Sequence, residues 1–176
     1  MTTWIAFLRA VNLGGRRTFR PPEIVTCLET AGFTQVATHI NTGNVRLVTS
    51  MRSRERVRDA LERAFLADRG FEVPVSLLTT AQVRQVAAEL DEVAAGHAGA
   101  HLVSFLRESP TPEQVAALEA RQAPGERIVV RDGAAHLLLL EEVHRSRLGN
   151  GVVERYAGTA TSRTRKVVAD IAAMWC

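Results

Sequence analysis

Apolar and polar residues alternate along the chain in short blocks whose period switches between that of a strand and that of a helix. Trp4 to Ala10 is a continuous apolar run that reads as a buried strand. Asn12-Leu13-Gly14-Gly15 interrupts it, a basic loop to Arg20 follows, and Pro21-Pro22 opens a helix, proline being tolerated in a first turn. Ile24, Leu28 and Ala31 share one face of that helix, and Gly32 ends it. Val36 to Ile40 and Val45 to Val48 read as strands joined by Asn41-Thr42-Gly43-Asn44, a hairpin signal. A second helix is predicted from about Ser53 to Asp68, with Val57, Leu61, Ala64 and Phe65 facing inward, and a fourth strand from Val73 to Leu78. The order is βαββαβ, the ferredoxin-like arrangement.

The second half nearly repeats it. A helix over Thr80–Leu90 leads through a Gly/Ala/His segment, Ala94 to Ala100, to a strand at Leu102–Leu106 and a helix at Pro112–Arg121. Strands Ile128–Arg131 and Ala135–Leu140 meet at Asp132-Gly133, another hairpin turn, and helical segments near Val143–Tyr156 and Arg163–Trp175 close the chain. Phe7-Leu8-Arg9 and Phe105-Leu106-Arg107 end the first strand of each half, which suggests an internal duplication. The fold class expected is therefore α+β: two related ferredoxin-like halves with antiparallel sheets, residues 1–79 and 80–142, plus C-terminal helices over 143–176.

Composition changes this picture little. With 176 residues and 46% hydrophobic content, the chain can bury roughly 70% of its unfolded surface without staples. No signal peptide opens it, no apolar stretch reaches the ~20 residues that span a bilayer, and Cys27 and Cys176 give no reason to expect an oxidising compartment. A cytoplasmic location with no membrane partner is the expectation.

Charge changes it more. The net +3 conceals a segregation: residues 1–70 carry 11 arginines against 6 acids, residues 71–142 carry 5 against 11, and residues 143–176 carry 6 basic groups against 2. A basic start and end around an acidic middle can steer an anionic partner, or let one copy meet another as a scaffold. The densest segment is Arg9 to Arg20, with Arg9, Arg16, Arg17 and Arg20 and no acid. Its adjacent Gly14-Gly15 lets backbone N–H groups converge on one anion. The spacing is neither that of a P-loop nor of a dinucleotide fingerprint, and no cofactor signature is present.

His39, Thr42, Gly43 and Asn44 form a second candidate, although small polar residues also satisfy a tight turn. This turn and the Asn12–Gly15 loop are expected at opposite ends of the sheet, so they are taken as separate candidates. Arg163, with Arg165 and Lys166, is a third, either a phosphate contact or the start of a helix. His97 and His101 lie four apart, but Gly96 and Gly99 break any helix between them and no third ligand completes a metal set.

The run Phe7-Leu8-Arg9-Ala10-Val11-Asn12-Leu13-Gly14-Gly15, with the later Thr42-Gly43-Asn44, resembles the bacterial domain-of-unknown-function 1697 family. Arg145-Ser146-Arg147-Leu148 and Ala160-Thr161-Ser162-Arg163 are similar to its C-terminal part. Ala10 stands where that family usually has glycine, Thr42 where it has serine, and Thr164-Arg165 where it tends to have Asn-Trp. The resemblance implies an α+β fold of two related halves and supplies no activity. The residues themselves point first to a module that binds a phosphate-containing small molecule or a nucleic acid through the Gly-Gly loop. The alternative is an enzyme in which Arg9 clamps an anionic substrate, Asn12 orients it and His39 titrates. Stacked recognition of single-stranded RNA is disfavoured, because Val45-Arg46-Leu47-Val48 carries no aromatic residue.

Overall fold

The computed structural model describes residues 1–12, 17–131 and 133–176, and two compact units divide the chain, Met1–Thr80 and Ala81–Met174. In the first unit β1 (Thr2–Leu8), α1 (Pro21–Thr30), β2 (Thr34–His39), β3 (Asn44–Thr49), α2 (Arg54–Arg69) and β4 (Val75–Thr79) form a sheet of order β2-β3-β1-β4. Every pairing is antiparallel: Phe7 sits opposite Asn44 on one side and Ser76 on the other. Alternation decides which face is packed. Trp4, Ala6 and Leu8 of β1 join Val45, Leu47, Val75 and Leu77, and α1 and α2 cover them with Leu28, Leu61 and Phe65. Ser53 accepts the Arg56 N–H as the α2 cap, and Gly70, at φ 73°, ends that helix in the left-handed conformation open to glycine. Arg58 of α2 is buried.

The second unit opens with α3 (Thr80–Val93) and continues with β5 (His101–Leu106), α4 (Pro112–Glu119), β6 (Gln122–Ala123), β7 (Glu126–Arg131) and β8 (Ala134–Leu138). After a 3-10 turn at Val143–Arg145 come α5 (Asn150–Ala157), β9 (Ala160–Thr164) and α6 (Arg165–Trp175). The sheet order is β6-β7-β8-β5-β9. With β6 set aside, this is the order of the first sheet with each strand in the corresponding place. One hydrogen bond recurs in both: the Arg9 N–H donates to Pro74 O just before β4, and the Arg107 N–H donates to Thr159 O just before β9, each at 2.9 Å.

The C-terminal segment, expected as two helical stretches near Val143–Tyr156 and Arg163–Trp175, also contributes β9, between them, to the sheet. Thr161 and Arg163 lie in register with Phe105 and Val103 of β5, and burial on that face leaves β9 only a strand's alternation, too short to stand out in the sequence. On the opposite face, α4 and α5 cover Leu106, Ile128, Ala135 and Leu137 with Leu118 and Val153. Asn150, at the start of α5, fixes that layer. Its Oδ1 accepts from Ser104 Oγ at 2.9 Å and Ser162 Oγ at 3.0 Å, and its Nδ2 donates to Ala160 O at 3.0 Å. The two hydroxyls also meet at 2.5 Å. Cys27 and Cys176 are free thiols, and burial pushes Cys27 up to about 11.

Removing the shared acceptor leaves the two hydroxyls only each other, with one donor and the Ala160 carbonyl deprived of a partner in a part-buried layer. Asn150→Ala is expected to lower the unfolding free energy by about 2–3 kcal/mol, read from urea denaturation, and a change below about 0.5 kcal/mol would contradict this role.

Candidate functional site

Strand direction settles where the predicted loops lie. Because β1 and β2 are each antiparallel to β3, they run the same way. Their outgoing connections, Arg9–Arg20 and the Ile40–Gly43 turn, therefore emerge at one end of the first sheet. This corrects the expectation that they occupy opposite ends. The split βαβ unit carries β2 back parallel to β1 with β3 between them, so the two C-terminal ends must coincide.

Asn12 joins them. Its Nδ2 donates to Phe19 O at 2.9 Å, to Asn41 O at 3.1 Å and to Asn41 Oδ1 at 3.0 Å, while its Oδ1 accepts the Phe19 N–H at 2.8 Å. The Asn12 N–H donates to Arg17 O at 3.1 Å. One carboxamide thus closes its own loop and straps that loop to the neighbouring turn. Directly beneath, the Leu8 N–H donates to Gly43 O at 2.8 Å. Gly43 has φ 74°, and a Cβ there would stand 2.8 Å from Leu8 Cβ and from Val11 Cγ2, so both the conformation and the space require glycine. Asn44 is fully buried and its Nδ2 donates to His39 O and Thr42 Oγ1, both at 3.0 Å. Thr42, Gly43 and Asn44 are committed to building the turn, and His39 ends β2 half-buried beside it.

The described basic residues of this end take separate places. Leu13, Gly14, Gly15 and Arg16 lie outside the described residues. Arg17 sets its guanidinium 5.0 Å from the centre of the Phe71 ring and donates to Glu72 O, on the connection that follows α2. Arg20 is exposed, and its backbone N–H donates to Glu23 Oε2 at 2.7 Å. That bond, with the charge of Arg69 nearby, holds the Glu23 carboxyl below the usual carboxylate range. Arg69, at the last turn of α2, pairs with Glu23 at 3.2 Å and lies 5.0 Å over the Phe19 ring. Phe19 in turn meets Phe65 edge to face at 5.2 Å. Sequence reasoning missed Arg69 as a cation of this end. Its signal was its place at the C-terminus of a helix that returns there.

The backbone at this end is unusual. Ala10 (φ 58°), Asn12 (φ 57°), Arg17 (φ 53°) and Ile40 (φ 49°) are non-glycine residues in the left-handed region, and among the described residues only Gln35, at the β2 irregularity, shares that property. Asparagine tolerates the conformation, but alanine, arginine and above all β-branched isoleucine do not, at about 1–2 kcal/mol each.

Arg163 lies in the second unit, on β9, where it is buried and donates to Thr161 Oγ1 and Ser162 O, both at 2.8 Å. Desolvation brings it down to about 10. It occupies a strand, whereas the sequence placed it at a helix start. Arg165 pairs with Asp91, and Lys166 with Asp170 at 2.7 Å. The Arg145–Leu148 segment is held by a residue the sequence did not single out: the buried Glu126 carboxylate accepts the Arg147 and Leu148 N–H groups, each at 3.0 Å. Also unforeseen is the buried pair His101 and His136, whose Nε2 and Nδ1 stand 3.0 Å apart. Each alternates with apolar neighbours on an inward face, and that was the available signal.

Two substitutions check the strapped end from opposite sides. Gly43→Ala adds left-handed strain and a clash with Leu8, and is expected to destabilise by about 2–4 kcal/mol. Ala10→Gly relieves strain and is expected to stabilise by about 1 kcal/mol. Thermal or chemical denaturation measures both, and the same sign for the two would contradict the backbone assignment.

Comparison with known proteins agrees with this architecture. No curated protein matches the chain. The conserved bacterial protein SP0830 from Streptococcus pneumoniae has a similar solved structure, with a TM-score of 0.76 and 24% sequence identity over 99% of this chain and 98% of that one. At that identity the likeness concerns the fold alone. Residues 1–136 match a family described as proteins of unknown function, DUF1697, and with that match running through the strapped end and most of the second sheet, the chain belongs to this family.

Proposed function

We propose that the strapped end of the first sheet binds a phosphorylated anionic ligand. The observation that carries the reading is the Asn12 carboxamide, which ties the basic Arg9–Arg20 segment to the Ile40–Gly43 turn and so presents one preorganised surface in place of two independent loops. Left-handed strain concentrated at Ala10, Arg17 and Ile40 fits a site in which local geometry is retained against its own cost. Arg9 and Arg20 flank the segment in sequence, and Gly14-Gly15 and Arg16 lie between them. Adjacent glycines suit a backbone cradle, which Arg side chains complete with forked donors matched to phosphate.

An enzyme acting on an anionic substrate is the second reading. It draws support from His39, a titratable residue ending β2 beside the same turn.

Calorimetric titration with pyrophosphate, ribonucleotides and a short RNA duplex at low and moderate salt tests the proposal. Saturable binding is expected, weakened about tenfold or more in Arg16→Ala/Arg20→Ala, with a salt slope that grows with the number of phosphates contacted. No saturable binding to any of these at low salt would end the reading. Turnover of a bound nucleotide that disappears in His39→Gln would favour the enzyme.

A further inference from the structure

The second unit holds a group of titratable side chains that the proposed ligand site does not use. His101 on β5 and His136 on β8 lie on the same face of the sheet as diagonal neighbours, His101 opposite Leu138 and His136 opposite Val103, and both are buried. His101 Nε2 and His136 Nδ1 share a hydrogen bond of 3.0 Å, with the rings tilted at 42°. Beyond it, His136 Nε2 stands 4.0 Å from Glu89 Oε2 on α3. Three atoms of the row, His101 Nδ1, His136 Nε2 and Glu89 Oε2, find no hydrogen-bond partner among the described residues.

The chemistry of the row fixes its protons. Two neutral imidazoles sharing one bond contain one donor and one acceptor at that bond. If His136 donated, its Nε2 lone pair would face the Glu89 carboxylate. If His101 donates, the His136 Nε2–H faces it, which is the favourable arrangement. The row is then Glu89, His136, His101, ending on a bare Nδ1 lone pair buried in protein.

We propose that this row is a proton-operated latch on α3: with both imidazoles neutral it keeps the helix seated over the second sheet, and uptake of a proton unseats it. The charges around the pair decide the direction. Arg131 on β7 acts on His136, Arg165 at the start of α6 and His97 on the loop after α3 act on His101, and Arg163 lies on the same sheet face. Against these stand Glu89 and Asp91, the latter paired with Arg165 and offsetting its charge, which leaves Arg131 and Arg163 as the further cations. A proton therefore enters a buried site dominated by positive charge, and a second would put two cations at hydrogen-bond distance. Other ties of α3 are Arg84 to Cys176 O, Arg127 to Val93 O at 3.3 Å and Arg165 to Asp91, and Val83, Val86, Leu90 and Val93 are buried along its inner face.

Burial first, and the neighbouring positive groups second, hold both histidines down to about 4, from 6.5. A base whose folded value is lowered leaves stability intact above 6.5 and loses it as pH falls from 6.5 towards 4, because the opened state binds the proton and the closed state does not. Over that window one histidine shifts the opening equilibrium by about 300-fold.

Hydrogen exchange of residues 80–93, followed in the full chain from pH 7 to 4 and corrected for intrinsic rates, tests the latch. The wild type is expected to lose protection there by up to about 300-fold, and H101L/H136L, an apolar replacement of the pair, to hold a flat profile. Glu89→Gln removes the favourable charge and is expected to open at higher pH than the wild type. Parallel loss of protection in the wild type and the double variant would overturn the proposal. Should the double variant not fold, the imidazole signals of the folded wild type decide: titration near 6.5 without opening of α3 overturns it, and silence down to the opening pH upholds it.

Discussion

A single asparagine side chain organises the first unit's candidate site. Asn12 uses both its amide hydrogens and its carbonyl oxygen on backbone and side-chain groups of Phe19 and Asn41. The consequences propagate in two directions. Phe19 is brought down onto Phe65 and beneath Arg69, so the loop is anchored in the core. The Ile40–Gly43 turn is drawn against Leu8 and Val11, closely enough that Gly43 has no room for a side chain. Without this bond set, two loops leaving parallel strands would be neighbours without a fixed relation. With it, they form one surface whose strain is stored in a few left-handed residues.

Much of the fold was legible because alternation and helical period survive locally. Trp4–Ala10, Ser53–Asp68 and Pro112–Arg121 match β1, α2 and α4 to within a few residues, since each is fixed by neighbours along the chain. Glycine and asparagine likewise announced the Asn41–Asn44 turn. What was not legible is non-local. β9 is a strand because β5 offers it a partner, and no local pattern in Ala160–Thr164 records that. The placement of the two loops follows from strand direction, a property of the whole βαββ path. Ala10 illustrates the limit differently: its residue type gives no sign of a left-handed backbone, whereas the glycine usual in the family would have announced one.

The two units use polar burial for different ends. In the first, Asn12 and Asn44 satisfy backbone groups, and Arg17, Arg20 and Arg69 stay at the surface or over aromatic rings, where a guanidinium keeps part of its hydration. In the second, Asn150, Glu126 and the His101–His136 pair sit inside, each joining elements distant in sequence. The same strand order therefore supports an outward-facing basic end in one copy of the topology and a buried titratable row in the other.

Backbone amide shifts during titration with pyrophosphate test the central claim most directly, because they locate a ligand without presuming its identity. The account predicts saturable shifts confined to residues 9–20 and 40–43, with smaller ones on the connection at Phe71 and Glu72. Shifts concentrated in the second unit, or none at saturating pyrophosphate, would contradict it.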